Sequence, residues 1–203
     1  MLQDIMDKSA KADYPINALI AKRWSARAFS DRPVEKQKIM SLLEAARWAP
    51  SSSNEQPWRF IVFTIENGSK ERMEEARSVL SEGNSYAKRA PVLMCAAAKK
   101  TYTHNDKDNR HHMHDVGAAT AYMFLEAYNQ GLAMHVMGGF DAEKARQLFG
   151  IPDGFEPATM IAIGYYGNPE TLPKKPREKE LAPRSRKPAG EWAFFGQWGS
   201  SII

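Results

Sequence analysis

Two pairs of arginines lie in segments that could bind a phosphate. Arg23 and Arg27 flank Ser25, so two planar guanidinium groups and a short hydroxyl are close together in the sequence. Such a set suits a phosphate, which favours bidentate cationic donors. Arg184 and Arg186 lie between prolines that favour an extended chain, in which alternate side chains point the same way. The sequence therefore indicates two phosphate clamps. The alternatives are a solvated basic surface for the first and a basic linker for the second.

Two further segments could contact a flat ligand. The segment 50–58 reads PSSSNEQPW, and its hydroxyls and amides could form directional hydrogen bonds to the edge of a heteroaromatic ring. The pair Gly138-Gly139 lets backbone N–H groups approach such a ring closely, because glycine has no side chain. The alternatives are a polar connector for the first segment and a turn followed by an Asp141 helix cap for the second.

A histidine-rich segment could bind a metal ion. On a helix, His111, His114 and Asp115 share one face, which would bring two imidazoles and a carboxylate together. No HExxH or paired-cysteine motif accompanies them. We therefore expect partly exposed residues at the start of a helix and no metal site.

Several enzyme classes lack their motifs in this sequence. There is no GxGxxG, no GxxxxGK[ST] and no GxSxG. These absences argue against a P-loop enzyme and against a two-domain dehydrogenase with its own nucleotide-binding fold.

The composition is that of a globular protein. The chain has 203 residues, of which 43% are hydrophobic and 26% charged, as expected for one domain with a core. No apolar run approaches the ~20 residues of a membrane span. The N-terminal segment mixes both charge signs and has no apolar stretch of a secretory signal, and Cys95 is the only cysteine. We therefore expect a cytoplasmic protein.

The positive charge is concentrated in one segment. The chain has a net charge of +4, whereas residues 174–187 alone carry +5 and leave −1 for the rest. Binding of nucleic acid through this segment is an alternative function. Because the excess is confined to one Pro-rich segment rather than spread over the protein, we expect no nucleic-acid partner.

Apolar periodicity and capping residues predict the secondary structure. The expected elements are helices over 18–23, from Asp31–Pro33 to Pro50, over 70–80, over 111–130 and over 142–149, and strands over 58–65, 91–98 and 158–166. The segment 132–140 is expected to connect the long helix to the helix over 142–149.

The long helix and the C-terminal segment suggest contacts with a partner. The helix over 111–130 is apolar or small around most of its circumference, which predicts burial on nearly all sides and packing against a second subunit. Residues 168–203 form an irregular, Pro-rich arm whose aromatic end is expected to dock on a surface such as the partner's. The order of elements is that of a single α+β or α/β domain over 1–203, with a sheet covered by helices.

Taken together, these segments resemble the nitroreductase family of FMN-dependent oxidoreductases. The family opening R-R-S-x-R-x-F stands here as Arg23–Phe29, and the family loop P-S-S-x-N-x-Q-P-W matches Pro50–Trp58 at every fixed position. The D-x-G-x-A of the long helix resembles Asp115–Ala119, and G-G-F and the late basic pair recur at 138–140 and 184–186. The motifs occur in the expected order over most of the chain.

Two residues depart from the family pattern. Trp24 replaces the usual second basic residue of the opening motif, and Gly138 stands where several bacterial members carry a glutamate. These departures bear on the range of substrates and on the tuning of the redox potential.

The resemblance implies an α+β fold, a homodimer and two FMN sites at its interface. The fold would have a central, mainly antiparallel sheet flanked by helices, a long core helix at the dimer interface and an extended C-terminal arm that wraps the partner subunit. Within the FMN site the resemblance assigns the phosphate and ribityl end to Arg23, Ser25 and Arg27, and closure on the phosphate to Arg184 and Arg186. It brings Pro50, Ser51, Ser52, Asn54 and Gln56 to the flavin from the other subunit, and it places the backbone N–H of Gly139 near flavin N5, with Gly138 beside it.

The resemblance also implies the type of reaction. FMN would carry the chemistry, and no side chain is expected to act as a catalytic acid or base. NAD(P)H would be the co-substrate, and a small acceptor such as a nitroaromatic or a quinone would follow it onto the same flavin face, which predicts ping-pong kinetics. A flavin dehydrogenase or dehalogenase of the same fold remains an alternative.

Overall fold

The computed structural model describes residues 8–66 and 68–202. Residues 1–7, part of the N-terminal segment in which no secretory signal is expected, lie outside this range. The helices are α1 (Ala18–Lys22), α2 (Lys36–Arg47), α3 (Lys70–Ser78), α4 (His112–Asn129), α5 (Ala142–Phe149) and α6 (Lys174–Leu181). The strands are β1 (Trp58–Thr64), β2 (Val92–Lys99), β3 (Leu132–Met137) and β4 (Phe155–Tyr165). Among these residues no helix combines the length and the apolar character needed to cross a membrane.

The strands form one antiparallel sheet in the order β1-β2-β4-β3. This arrangement confirms the α+β class. The expected connection over 132–140 is wrong in its first part, since Leu132–Met137 forms the edge strand β3 and pairs with β4. The strand starts directly after Gly131, whose φ of 74° ends α4 in a left-handed cap.

Helices cover both faces of the sheet. The side chains of β2 alternate between two apolar clusters, so that Leu93 and Cys95 face one layer of helices while Met94 and Ala96 face the other. The first cluster includes residues of α3 and α5, and the second includes residues of α2 and α4. Burial on both faces explains why β2 is a continuous apolar run although its pairing is antiparallel.

The long helix α4 is buried on one face only. Val116, Ala119 and Met123 pack into the core, whereas Met113 and Tyr122 are 40% and 44% exposed. The exposed side has a groove of about 400 Å³, lined mainly by small and apolar residues of α4 together with Val136 and Ala158. Within the chain, therefore, the prediction of burial on nearly all sides is not met.

The C-terminal arm is more regular than the sequence indicates. Its prolines predict an irregular chain, but Lys174–Leu181 forms the helix α6. Pro176 is tolerated there because it lies in the first turn, where its missing N–H has no partner within the helix. Beyond this helix Trp192, Phe195 and Trp198 are 65%, 66% and 88% exposed. The docking of this aromatic end on a partner remains a prediction.

The start of α2 also differs from the expectation. The helix begins at Lys36 rather than near Asp31–Pro33, and its cap residue Glu35 makes no side-chain capping bond. The Glu35 carboxylate accepts hydrogen bonds from Tyr165 and Arg32 instead. Asp31 and Pro33, the expected capping signals, therefore precede the helix instead of beginning it.

Candidate active site

The segment Arg23–Phe29 runs as an extended chain beside the edge strand β3. Ser25 pairs with Met134 in a parallel bridge, and Phe29 pairs with Tyr166. Burial alternates along the segment: Trp24, Ala26 and Ala28 are in the core, and Arg23, Ser25 and Arg27 are only partly buried. Alternation with a period of two is the pattern of an extended chain with one covered side. The fold thus keeps the three polar residues of this segment out of the apolar core.

Arg23 lies in a cluster of guanidinium groups. Its Cζ is 4.4 Å from the centroid of the Phe124 ring in α4, and its Nε is buried without a hydrogen-bond partner. Burial lowers the pKa of Arg23, and repulsion from Arg184 and Arg186 lowers that pKa further. Arg184 and Arg186 therefore lie close enough to Arg23 to repel it electrostatically. The structure thus brings one arginine of the first pair near both arginines of the second.

Among the residues that the structure describes, no carboxylate neutralises this cluster. Over residues 8–66 and 68–202, no Asp or Glu oxygen lies within 4.0 Å of the guanidinium nitrogens of Arg23, Arg184 or Arg186. A buried donor without a partner costs free energy, and three adjacent cations repel each other. An anion with several oxygen acceptors, such as a phosphate, would relieve both costs.

Contacts between the two ends of the chain position Arg184. Its Nη1 donates to the carbonyl oxygens of Lys8 at 2.7 Å and of Ala21 at 2.6 Å. The Lys8 ammonium in turn donates to the carbonyl oxygens of Glu180, at 2.8 Å, and of Ala182. These bonds hold the extended residues after α6 against the N-terminal segment, and so direct the late arginines to the cluster.

Arg27 borders a second cavity. Its backbone amide donates to Glu180 Oε2 at 2.8 Å, and its Cζ lies 5.7 Å from the centroid of the Tyr86 ring. The cavity has a volume of about 690 Å³ and is also lined by His135 and by residues of α6. The basic segment 174–187 is thus divided by the fold, since α6 borders this cavity and the residues after it reach Arg23.

The glycine pair is exposed at the end of β3 and is held from one side by Asn84. The Gly139 carbonyl accepts hydrogen bonds from the Ser81 amide at 3.1 Å and from Asn84 Nδ2 at 2.8 Å. A Cβ at Gly139 would come within 2.8 Å of Asn84 Nδ2, whereas a Cβ at Gly138 would meet nothing within 4 Å. Gly139 is therefore required for close packing against Asn84, a residue that belongs to no motif of the sequence.

A buried hydrogen-bonded chain leads from Asn84 to the arginine segment. The Tyr86 hydroxyl lies 3.2 Å from Asn84 Oδ1 and 2.9 Å from His135 Nε2, and His135 Nδ1 lies 2.9 Å from the Ala26 carbonyl oxygen. Because a carbonyl oxygen only accepts, Nδ1 carries the proton. In the neutral ring Nε2 therefore accepts the single proton of the Tyr86 hydroxyl, and Asn84 Oδ1 is the more distant, competing acceptor of that proton. Burial lowers the pKa of His135 to about 4 and raises that of Tyr86 to about 12.

This chain was also missed by sequence reasoning. His135 is separated from Tyr86 by 49 positions and from Ala26 by 109 positions. The residues belong to three elements that no motif connects. The only signal in the sequence is a single polar residue, His135, within the apolar run of β3.

The loop before β1 has a strained and well-anchored backbone. Ser53, Asn54 and Gln56 have φ values of 51°, 52° and 52°, a region that residues other than glycine seldom adopt. The Ser52 amide donates to Asp115 Oδ2 at 3.0 Å, and the Ser52 hydroxyl lies 2.8 Å from the Tyr102 hydroxyl. The loop is thus held by the first turn of α4 and by the chain after β2.

The hydroxyls of Ser51 and Ser52 in this loop already have partners within the chain. Ser51 Oγ accepts from the Gln56 amide at 3.0 Å, and Gln56 Nε2 donates to the Asn54 carbonyl oxygen at 3.1 Å. The side chain of Asn54 is exposed, as is Pro50. No hydrogen bond or ion pair among the described residues joins this loop to Arg23 or Gly139 of the same chain.

A second carboxylate stabilises the same loop. Glu55 accepts from the Thr103 amide at 2.8 Å and from the Thr103 hydroxyl, and Lys99 Nζ lies 3.4 Å from it. Burial alone would raise the pKa of Glu55, but these hydrogen bonds outweigh it and hold that pKa below its ordinary value. Glu55 therefore anchors the loop as an ionised group.

The histidine segment has a different role from that of a metal site. Asp115 is 3% exposed and directs Oδ2 to the Ser52 amide, while Oδ1 lies 3.2 Å from His114 Nδ1. In the part of the chain that the structure describes, no three His, Cys, Asp or Glu side chains are grouped so that they could hold a metal ion. The carboxylate supports the loop over 50–56.

Comparison with known proteins places this geometry in a family. The profile of the nitroreductase family matches residues 20–165, which is more than half of the chain. The chain belongs to the nitroreductase family. It is therefore an enzyme of oxidoreductase type, and the matched range of the nitroreductase includes the arginine segment, the loop before β1 and the glycine pair. Arg184 and Arg186 lie beyond the matched range.

Known relatives cover most of this nitroreductase. A protein of Mycolicibacterium smegmatis, named as an uncharacterized 15.4 kDa protein, is 36% identical over 61% of this chain and 82% of its own length. A "Putative NADH dehydrogenase/NAD(P)H nitroreductase" of Archaeoglobus fulgidus is 30% identical over 72% of this chain and 83% of its own. A crystal structure described as an oxidoreductase containing FMN superimposes with a TM-score of 0.87 at 33% identity, covering 94% of this chain and 96% of that one.

Proposed function

We propose that this nitroreductase is an FMN-dependent enzyme that passes two electrons from NAD(P)H to a small acceptor. The single observation that carries the proposal is the unpartnered, buried Nε of Arg23 in a cluster with Arg184 and Arg186. Cations without carboxylate partners are a binding site for a dianion, and a phosphate monoester carries about −1.5 to −2 charges at neutral pH. The FMN content of the similar crystal structure supports the same ligand.

The residues around the cluster divide the contacts with FMN between them. Arg23, Arg184 and Arg186 would hold the phosphate, with Ser25 and Arg27 toward the ribityl chain and the ring. The exposed pair Gly138-Gly139 would present backbone amides to the ring, because Asn84 and Ser81 already hold the Gly139 carbonyl from the other side. When bound, FMN supplies the hydride chemistry, and the chain binds and orients it.

The loop over 50–56 would complete the site of a second subunit. The resemblance assigns Pro50, Ser51, Ser52, Asn54 and Gln56 to the flavin of the partner. Since the hydroxyls of Ser51 and Ser52 are bonded within the chain, their contribution is the fixed shape of the loop. The exposed side chain of Asn54 is free to form a new hydrogen bond, as is that of Ser53.

A homodimer also accounts for the exposed side of α4. Met113, Gly117 and Ala121 lie four positions apart on this helix and line the groove of about 400 Å³. An apolar stripe of this kind is costly in water and is typical of a subunit interface. A second copy packed on this stripe would bury it, and would explain a helix that is apolar on most of its circumference.

The donor, the acceptor and their order of binding belong to the same proposal. NAD(P)H would reduce the flavin, leave as NAD(P)⁺, and be replaced on the same face by the acceptor, a nitroaromatic or a quinone. A flavin dehydrogenase or dehalogenase would use the same contacts with FMN. The three activities are distinguished by which substrates the purified enzyme turns over.

The test combines flavin binding with substitution in the cluster. We expect purified protein to show flavin absorption that bleaches on anaerobic addition of NADH or NADPH. Each of the changes Arg23→Met and Arg184→Met removes a charged hydrogen-bond donor, so FMN affinity measured by titration of apoprotein should fall at least about tenfold. The control Arg110→Met alters an exposed arginine outside the cluster, and its affinity should equal that of the wild type. Protein that takes up no FMN and oxidises no NAD(P)H would refute the proposal.

A further inference from the structure

The cavity beside Arg27 has an unusually cationic border. Its volume is about 690 Å³, which is within the range of small-molecule sites. Lys174, Lys175 and Lys179 of α6 lie along it together with Arg27, and Glu82 is the carboxylate among its lining residues. Four cations against one anion leave a net charge of about +3 around a single cavity.

The three lysines have no hydrogen-bond or ion-pair partner in the described part of the chain. Other lysines are bonded: Lys38 Nζ donates to the Gln130 carbonyl oxygen at 2.8 Å, and Lys144 Nζ to that of Ser78 at 3.1 Å. No hydrogen bond or ion pair links Lys174, Lys175 or Lys179 to any other residue that the structure describes. Their ammonium groups are therefore available to a ligand in the cavity.

One wall of this cavity is formed by residues that contact the glycine pair. Asn84 and Tyr86 line it, and Asn84 Nδ2 is bonded to the Gly139 carbonyl oxygen. A ligand could therefore extend from the lysines of α6 to the residues assigned to the flavin ring. A pyridine nucleotide has this form, with a nicotinamide at one end and an adenosine phosphate at the other.

We propose that the lysines of α6 bind the 2′-phosphate of NADPH and make this enzyme prefer NADPH to NADH. The proposal rests on the proposed function, since it names the electron donor of the same site. The diphosphate common to both nucleotides carries about two negative charges, and the 2′-phosphate adds about 1.5 to 2 more. A border with a net charge near +3 is better matched to the larger total, and lysines bind phosphates as mobile point charges.

The test uses fragments of the nucleotide that have no nicotinamide. Binding of adenosine 2′,5′-bisphosphate and of 5′-AMP to the purified protein is measured by calorimetry, so the result does not depend on flavin reduction. We expect the bisphosphate to bind at least about tenfold more tightly than 5′-AMP. The double substitution Lys174→Gln with Lys175→Gln should remove this difference and lower the ratio of kcat/KM for NADPH to that for NADH.

A matched control separates a local effect from a general loss of charge. Lys70 is exposed and is the first residue of α3, as Lys174 is of α6. Lys70→Gln should keep the preference for the bisphosphate. Equal affinities of the wild type for the two fragments, or an unchanged preference in the double variant, would overturn the proposal. Flavin content is measured on the same samples, so protein without FMN that still prefers the bisphosphate would refute the proposed flavin enzyme and not this site.

Discussion

The buried carboxylate of Asp115 accepts a hydrogen bond of 3.0 Å from the backbone amide of Ser52. This bond connects the first turn of α4 with a loop in which three residues have left-handed backbone conformations. The strained loop persists because such contacts over-determine its shape. In the proposed site, Asp115 would therefore act on ligand binding through the shape of the loop.

Replacing Asp115 by alanine should release the loop over 50–56. The Ser52 amide would lose its acceptor, which costs about 1–3 kcal/mol of the free energy of unfolding. Denaturant unfolding measures this cost, and faster hydrogen exchange at the Ser52 amide locates it. Asp153→Ala, at an exposed aspartate, is the control and should leave both unchanged. Slow exchange at Ser52 in the Asp115→Ala protein would contradict this role.

Alanine at the two adjacent glycines should have different effects. At Gly139 the new Cβ would lie 2.8 Å from Asn84 Nδ2 and from Ser81 Oγ, so Asn84 must move and its bond to the Gly139 carbonyl is lost. We expect a loss of stability of about 1 kcal/mol. A Cβ at Gly138 meets nothing within 4 Å, so Gly138→Ala should unfold at nearly the wild-type midpoint. Equal midpoints for the two variants would show that Asn84 does not restrain Gly139.

His135 should make the stability depend on pH in a defined direction. Burial lowers its pKa from 6.5 to about 4, so between these values the unfolded chain binds the proton and the folded protein does not. The contribution of neutral His135 to the free energy of unfolding is present above pH 6.5 and is lost as the pH falls toward 4. The total change is about 3 kcal/mol at most.

The variant His135→Gln isolates this contribution. Glu180 acts in the opposite sense, because burial raises its pKa and the folded protein then binds a proton more readily as the pH falls. Glu180 is present in both the wild type and His135→Gln, so its effect cancels when the unfolding free energies of the two proteins are subtracted. Unfolding free energies measured across the acidic range should therefore converge as the pH falls. A constant difference would mean that His135 binds its proton equally well in the folded and the unfolded states, so that its pKa is not lowered by folding.

Cys95 should be unreactive in the folded protein. It lies in the central strand β2 between Ile61 and Met160 of the neighbouring strands and is 0% exposed. Burial raises its pKa to about 12, so the thiolate that attacks thiol reagents is scarcely populated. A disulfide reagent at mildly alkaline pH should label no thiol in the native state and one after unfolding. Rapid native labelling would show that β2 opens on the time scale of the assay.

The sequence predicts the layers of this fold better than their edges. Apolar runs locate β1, β2 and β4, and the long stripe of small residues locates α4, because the core requires these patterns. The strand β3 was missed because it is a short apolar run that follows α4 directly after Gly131. The helix α6 was missed because Pro173 and Pro176 are typical of loops. Pro173 precedes the helix and Pro176 lies in its first turn, where a missing N–H removes no hydrogen bond of the helix.

In the candidate site, too, the sequence predicts some residues and not others. Arg23 and Arg184 are identifiable from sequence because each belongs to a compact motif with a chemical purpose. The supporting residues Asn84, Tyr86 and His135 belong to no such motif, and their hydrogen bonds depend on how three separate elements pack. Contacts across many positions of the chain leave no local pattern, so the structure was needed to find them.

The bonds from Arg184 to the carbonyl oxygens of Lys8 and Ala21 span 176 and 163 positions of the chain. A chain is synthesised from its N-terminus, and its earlier segments begin to fold while later ones are still on the ribosome. The last strand of the sheet ends at Tyr165, so the sheet can form before Arg184 emerges. The guanidinium cluster is complete only when Arg184 has met Lys8 and Ala21. In the proposed site, a nascent chain that has not yet reached Arg184 would lack this cluster and could not load a phosphate-bearing ligand on it.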